Sequence, residues 1–326
     1  MSFGYQILGF GSGVVSDVEV PAWCGDRGVF SGANYDESST HNTIDYITVS
    51  SEGDATDFGN TSTNRSHKSQ GGASSGTRGV FAGGYDTDSL GASNVMDYIT
   101  FSSTGNATDF GDLTLARLTF AGFSNGTRGV FAGGRPGSGV DDTIDYITIA
   151  TTGDATDFGD LSTDTRYSSA LADATRGVII VGMGTGDQDI MEYVTIASTG
   201  NATDFGNYFR NDYGVGACSD ATRGVLGGGG ETVSSGPYRY SVNISYITIQ
   251  TTGDAADFGD LTIDEAGLRG ALSNGTRGVW GGGYAPSESP NMEDTMDYIT
   301  IQTTGNATDF GDLVNPQSVT SAMSGD

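Results

Sequence analysis

Residues 127–134 read TRGVFAGG and residues 145–161 read DYITIATTGDATDFGDL, and versions of both phrases recur along the chain. The Arg-Gly pair of the first phrase occurs at Arg27, Arg78, Arg128, Arg176, Arg223 and Arg277. The intervals are 51, 50, 48, 47 and 54 residues, a mean of 50. A repeat of this length with strand-like content is typical of propellers, solenoids and arrays. We expect residues shared by all copies to hold the copies together, and function to lie where they differ.

The third copy predicts four short strands. After an Asn-Gly turn, residues 128–132 form a strand that ends at two glycines. Residues 144–150 are rich in β-branched and aromatic side chains, and residues 154–161 return after a Thr-Thr-Gly turn. Residues 166–171 are a fourth, apolar segment. Four strands in about 50 residues indicate one antiparallel sheet per copy.

Each sheet needs cover on both faces. Tyr146 and Ile147 are adjacent in one strand, so they point to opposite faces, and each favours burial. Stacking the sheets face to face around a ring covers both faces and protects the edges. The sequence therefore predicts an all-β fold, a six-bladed β-propeller of four-stranded antiparallel blades, over residues 16–326. Residues 1–15 are expected to be a docking segment.

The repeat resembles the kelch repeat. It has a hydrophobic strand ending in Gly-Gly (83–84, 133–134, 282–283), a variable loop, an aromatic D-Y-I-T strand, and an aromatic strand before an arginine, Arg117 or Arg166. The usual tryptophan is replaced by phenylalanine, as at Phe158. The resemblance implies a kelch-like propeller.

A second resemblance concerns the joined phrases TGNATDFGDL and SNGTRGVFAGG, and the opening GYQILGFGSG at residues 4–13. These resemble repeat proteins encoded by bacteriophages of marine cyanobacteria and other marine bacteria. That resemblance implies a virion or tail-fibre structural protein, located on the phage particle and bound to other virion proteins.

The charge excludes several classes of partner. There are 14 Lys+Arg against 41 Asp+Glu, a net charge of −27. Nucleic acid is a poor partner, because phosphate binding needs clustered cations. No stretch is long and apolar enough to insert into a membrane, and the N-terminus lacks the features of a signal peptide. Cys24 and Cys218 are expected to be free thiols.

The apolar strand that precedes the Asn-Gly turn occurs seven times, although a closed ring of six blades has six such places. The equivalent residues are Cys24, Ala73, Phe123, Leu171, Cys218, Leu272 and Met323. Either the C-terminal copy closes the ring and displaces the first, or it is left for another contact. We favour pairing of the C-terminal copy near blade one.

Catalytic and metal-binding motifs are weak. The histidines, His41 and His67, are far apart, and no nucleophile elbow or C-x-x-C motif is present. We therefore expect no enzymatic activity and no cofactor. The acidic turn, as at Asp154 and Asp157, could hold a structural Ca²⁺, but turn capping by these side chains is favoured. The six repeated arginines are expected to pair with aspartates of the same or a neighbouring blade.

Successive connections of a four-stranded blade alternate between two rims. The Asn-Gly and Thr-Thr-Gly turns share one rim, which we call the constant rim. The opposite variable rim carries loops that differ between copies, and such loops on rigid scaffolds are common recognition sites. Aromatic and basic residues collect there, and the predicted binding residues are Tyr208, Phe209, Arg210, Tyr238, Arg239, Tyr240, Arg135 and His67.

The expected function is a non-enzymatic phage tail or fibre component for host attachment, which recognises a host surface glycan or protein and can form a homo-oligomer. Two alternatives stay open. One is a capsid or tail decoration protein without a ligand, and the other is a cellular carbohydrate-binding propeller.

Overall fold

The computed structural model describes residues 21, 23–33, 42–66, 72–184, 189–208, 212–231, 239–263, 269–284 and 292–326. These residues form a six-bladed β-propeller of small antiparallel sheets, and the described part of the chain contains no helix. The fold class predicted from the repeat is therefore confirmed, and the architecture is consistent with a kelch-like propeller. The predicted docking segment, residues 1–15, lies outside the described residues.

Twelve strands span the first half of the chain: β1 (Arg27–Ala33), β2 (Thr43–Thr48), β3 (Thr56–Asn60), β4 (Arg65–Ser66), β5 (Ala73–Ser74), β6 (Arg78–Asp86), β7 (Gly91–Thr100), β8 (Thr108–Asp112), β9 (Ala121–Ser124), β10 (Arg128–Gly134), β11 (Asp141–Thr148) and β12 (Thr156–Arg166). Seventeen follow: β13 (Ser169–Ala172), β14 (Arg176–Ile180), β15 (Met183–Gly184), β16 (Ile190–Thr195), β17 (Thr203–Asn207), β18 (Asp212–Tyr213), β19 (Gly216–Ser219), β20 (Arg223–Gly227), β21 (Gly230–Glu231), β22 (Arg239–Tyr240), β23 (Asn243–Thr248), β24 (Ala256–Asp260), β25 (Gly270–Ser273), β26 (Arg277–Gly281), β27 (Thr295–Thr300), β28 (Thr308–Asp312) and β29 (Ser318–Gly325).

Each blade runs outward from the axis in chain order, for example β13-β14-β16-β17 in blade four. The innermost strands contact one another around the axis. The apolar segment at 166–171 is therefore not the last strand of its own copy. It contributes β13, the first strand of the next blade, because the short turn after Ala172 pairs it with β14.

The core is divided among the six interfaces between neighbouring blades, and each interface holds one apolar cluster. Tyr146 packs into the cluster between blades three and four, whereas Ile147 packs between blades two and three. The predicted burial of the two faces of this strand is thus confirmed. Each of the six D-Y-I-T-type strands places its tyrosine edge-on to the phenylalanine of the neighbouring strand, as Tyr146 and Phe158 do at 6.0 Å.

The repeated arginines fasten neighbouring blades, but not through aspartate. The Nη1 of each donates to a backbone carbonyl of the following blade, at 2.5 to 3.2 Å. The guanidinium also lies 4.1 to 5.0 Å from the ring centre of its own blade's tyrosine. The expected Asp pairing is corrected: the carbonyl at the end of the next blade's third strand is the nearer acceptor, and the tyrosine face supplies a cation–π contact.

The acidic turn fastens blades in the same sense. In each of the six interfaces its first Asp or Asn accepts, through Oδ1, a backbone N–H of the preceding blade's outer strand, at 2.9 to 3.3 Å. Asp and Asn are interchangeable at this position, because both provide Oδ1 as the acceptor. The side chains of the acidic turn therefore cap backbone N–H groups of the neighbouring blade. Ca²⁺ binding by this turn stays a prediction from the sequence.

The glycine of each Asp-Phe-Gly motif allows the blades to touch. Gly159 has a φ of +147°, and a Cβ added there would lie 2.6 Å from the carbonyl carbon and oxygen of Gly200 in the next blade. The adjacent backbone N–H of Gly200 donates to the Phe158 carbonyl at 2.7 Å. A side chain at this position would separate two backbones that are hydrogen-bonded.

We expect Gly159→Ala to lower the free energy of unfolding by at least about 2 kcal/mol more than Gly153→Ala. Gly153 is the matched control, because its φ is +153° yet nothing lies within 4 Å of an added Cβ. Urea denaturation of the two variants compares their free energies of unfolding. The difference isolates the clash with the next blade from the backbone strain that both substitutions cause. Equal losses would contradict the role of contact between blades.

The C-terminal strand closes the ring. β29 pairs with β1, placing Met323 opposite Val29, in the register that the first strand has in every other blade. Cys24 is displaced from that place and lies 3.6 Å from the Ser273 hydroxyl. The favoured reading of the seventh copy is confirmed. The backbone of Gly25 passes so close to Gly325 that a Cβ added to Gly25 would lie 2.1 Å from the carbonyl carbon of Gly325.

Deletion of residues 318–326 should remove cooperative unfolding, because blade one loses its inner strand and the interface with blade six loses Ala322. We expect a loss of more than about 5 kcal/mol, comparable with the whole stability of many domains. Thermal denaturation followed by circular dichroism measures it. Retention of the full transition would show that the Cys24 segment can replace β29.

Candidate functional site

The variable rim carries a small extra sheet beyond blade five. β18, β21 and β22 pair antiparallel, with Tyr213 opposite Gly230 and Gly230 opposite Tyr240. Two segments that are far apart in the sequence, one around Tyr213 and one around Tyr240, are thereby brought together. Gly230 allows this, because a Cβ there would lie 2.9 Å from the Tyr213 ring.

Four tyrosines and a methionine gather around this sheet, and we call them the tyrosine patch: Tyr167, Met183, Tyr213, Tyr240 and Tyr284. The Tyr167 and Tyr213 rings lie 5.6 Å apart, and the Tyr240 and Tyr284 rings 5.9 Å apart. Tyr213 is buried, and Tyr167, Met183 and Tyr284 pack against it while half-buried. The patch thus joins segments from blades four, five and six.

Tyr167 is held in an unusual backbone conformation. Its φ is +54°, in the left-handed region that glycine tolerates better. The equivalent residues in the flanking blades, Thr119 and Gly214, share this conformation, and hydrogen bonds run from Tyr167 N to Thr119 O and from Gly214 N to Tyr167 O. The conformation therefore belongs to the fold, but a tyrosine in it carries a strain of order 1 kcal/mol that glycine would avoid.

Charge lies beside the patch as well. The Arg166 guanidinium is 5.6 Å from the centre of the Tyr167 ring. Arg166 also pairs through its backbone with Met183, which anchors β15 to β12. The patch therefore combines apolar ring surface, tyrosine hydroxyls and one cation, a composition typical of protein and carbohydrate contacts.

Of the predicted binding residues, Tyr240 lies in the patch and Tyr208 does not. Tyr208 is 4 % exposed and packs with Phe205, Val215 and Leu226 in the core between blades four and five. Its prediction as a surface contact is corrected: the phenyl ring fills the gap between two blades.

Arg135 is half-buried on blade three, where its backbone forms a bridge to Leu118 and its Nη2 donates to Gly137 O at 3.5 Å. No contact within the described ranges links it to the patch. Arg239 has its backbone in β22, beside Tyr240. Phe209, Arg210, Tyr238 and His67 lie outside the described residues.

Sequence reasoning missed Tyr167, Met183 and Tyr284 as members of one surface. Tyr167 was assigned to the apolar segment 166–171. The signal available in the sequence was that Tyr167 and Met183 differ from their repeat equivalents, as Tyr167 differs from Thr119. Their meeting depends on the pairing of β12 with β15 and of β18 with β21, which follows the register of Leu118 and Arg135 in blade three.

Buried ion pairs lie between the variable rim and the core. Three blades bury an arginine against the aspartate of the third strand, forming Arg65–Asp97, Arg117–Asp145 at 2.8 Å and Arg269–Asp297 at 2.5 Å, with all six side chains 0 % exposed. Arg117 also donates to the carbonyls of Phe131, Gly133 and Thr143. These networks hold the variable-rim ends of the blades rigid.

Blade one has the aspartate without the arginine. Asp45 is 1 % exposed, and Gln317 stands at the equivalent of Arg117, with its Nε2 3.4 Å from Asp45 Oδ2. Burial raises the pKa of Asp45 from its usual 3.8 to about 6, despite a hydrogen bond from the Val314 N–H. The folded state therefore binds a proton more tightly than the unfolded state does.

The contribution of Asp45 to stability is thus greatest below pH 4 and falls as pH rises to about 6. We expect Asp45→Asn to stabilise the protein by up to about 3 kcal/mol at pH 7 and to have little effect below pH 4. Asp145→Asn is the control, because it strands buried Arg117 and should destabilise by about 3 to 5 kcal/mol. Urea denaturation at both pH values tests this, and destabilisation by Asp45→Asn at pH 7 would contradict it.

The axial cavity does not offer a ligand site. It measures about 70 Å³ and is lined by the inner strands of all six blades together with Trp23 and Cys24. Ligand pockets are commonly about 300 to 1,000 Å³. Cys24 and Cys218 are buried free thiols here, and burial raises the pKa of Cys24 to about 12. Such thiols are poor nucleophiles.

Within the described ranges, no group of three or more His, Cys, Asp or Glu side chains is arranged to hold a metal ion. The same ranges contain no helix long and apolar enough to cross a bilayer.

The fold and the patch define a six-bladed β-propeller with an aromatic surface on one rim. No known protein family matches the chain, and no curated protein sequence is similar to it.

Proposed function

We propose that the protein is a non-enzymatic recognition module whose tyrosine patch contacts a host surface glycan or protein. The observation that carries the proposal is the convergence of Tyr167, Met183, Tyr213, Tyr240 and Tyr284 from three blades, at positions where the copies differ. Aromatic rings with a neighbouring cation favour such contacts.

The setting in which the module acts follows from the sequence resemblance. We propose that it is a tail- or fibre-associated component of a bacteriophage particle, with residues 1–15 as the attachment to other virion proteins. A rigid disc with one variable rim suits adhesion, because its constant parts fix the orientation of the contact surface.

The double variant Tyr240→Ala/Tyr284→Ala should weaken attachment at least tenfold, since both rings are half-buried and their loss removes part of the contact surface. Attachment is measured as binding of labelled protein to host cells and to a glycan array. Leu90→Ala is the control, because Leu90 is 73 % exposed on blade two of the same rim.

Unchanged attachment by the double variant would overturn the patch as the contact. Equal weakening by Leu90→Ala would indicate that the rim as a whole, rather than the patch, is recognised. Absence of binding to cells and to glycans by the wild type would favour a decoration protein without a ligand.

A further inference from the structure

The constant rim repeats one exposed arrangement at every interface. A tyrosine of the third strand is half-buried, with the repeated arginine over its ring. In blades one and three, the turn of the same blade encloses a crevice beside the tyrosine. In blade three the crevice is lined by Tyr146, Thr148, Thr151, Thr152 and Asp154, and its volume is about 370 Å³. The equivalent crevice of blade one is about 250 Å³. One hexose ring fits a space of this size.

One of the six interfaces is occupied by the protein itself. Glu52, in the turn of blade one, reaches Arg277 of blade six, with its Oε1 3.7 Å from Arg277 Nη2. The Tyr298 hydroxyl donates a hydrogen bond to the same carboxylate, which raises the pKa of Tyr298 above its usual value. At this interface the arginine–tyrosine pair therefore holds a carboxylate.

The other five interfaces lack that carboxylate. Threonine stands at the Glu52 position in every other copy: Thr104, Thr152, Thr199, Thr252 and Thr304. The arginine–tyrosine geometry is retained, with guanidinium-to-ring distances of 5.0, 4.3, 4.1, 4.2 and 4.5 Å. Each of these arginines uses Nη1 for the carbonyl of the next blade, and its Nη2 has no acceptor among the described residues.

We propose that these five interfaces bind the carboxylate of a uronic acid sugar, with Glu52 marking the sixth as self-occupied. The sugar ring, rather than an acidic peptide, is favoured by the crevices of blades one and three, where threonine hydroxyls and a tyrosine ring line one space. Sugars present hydroxyls and an apolar ring face together. This goes beyond the proposed function, because the sites lie on the opposite rim and use residues shared by all copies.

The net charge of −27 opposes any anionic ligand at long range. At physiological ionic strength such repulsion is screened beyond about 8 Å, whereas the contact with the guanidinium is direct. Asp154 lines the crevice of blade three itself, where its Oδ1 accepts the backbone N–H of Asp112, and its charge weakens that site. Each site is therefore weak, and five sites on one ring gain strength only against a polymer that engages several of them. The expected partner is an acidic polysaccharide.

Because each site is weak, the test uses trigalacturonate at concentrations high enough to saturate a single site, in isothermal titration calorimetry on the whole chain. Wild type should bind it, and the variant carrying Thr→Glu at 104, 152, 199, 252 and 304 should lose at least tenfold in affinity, because each new glutamate fills its own interface. Glu52→Thr should raise the number of sites from five to six. The tyrosine absorbance titration of the fivefold variant should move to higher pH if the glutamates accept the tyrosine hydroxyls.

Folding of the variants is checked by their thermal transitions. Glu52 is 53 % exposed, and exposed ion pairs contribute about 0 to 1 kcal/mol, so Glu52→Thr should fold. Trigalacturonate methyl ester and triglutamate are the ligand controls. The proposal is overturned if wild type does not bind trigalacturonate, if either control binds equally well, or if a folded fivefold variant whose tyrosine titration has moved still binds. Because the tyrosine patch is untouched, host attachment by the same variants reports on the proposed function separately.

Discussion

The structure depends on the face-to-face approach of neighbouring blades. Each blade buries apolar side chains on both faces only because another blade covers them, so no blade is stable alone. The approach is close enough that backbone meets backbone, at Gly159 and Gly200 for example. Glycine, the Asx acceptor and the arginine recur for this reason: each fastens one blade to the next without filling the space between them.

A ring built from such interfaces must be closed where the first and last parts of the repeat meet. The C-terminal β29 supplies the inner strand of blade one, so the first and last strands, β1 and β29, lie in one blade and Gly25 crosses Gly325. This explains why the sequence carries a seventh copy of the first strand. The copy around Cys24 is left beside the axis, where its thiol contacts Ser273. Closure by pairing within a blade leaves the six interfaces equivalent.

The period of the repeat was enough to predict the blades, because burial on two faces has few solutions for short strands. It was not enough for the partners of side chains. The arginines met carbonyls and tyrosine rings rather than aspartates, since the next blade's backbone is nearer. Tyr208 reads as a loop aromatic but fills an interface. The tyrosine patch could not be predicted, because its members lie on segments that pair in the same register in several blades but differ in sequence from copy to copy.

Departures from the repeat carry more information than its constancy. On the variable rim, Tyr167 occupies a left-handed position where the preceding blade has threonine and the next blade has glycine. On the constant rim, Glu52 replaces a threonine and turns one of six like interfaces into an ion pair. Both are single substitutions in a shared frame. Because the frame fixes the surroundings of each, the difference between one copy and its neighbours isolates what the side chain itself does.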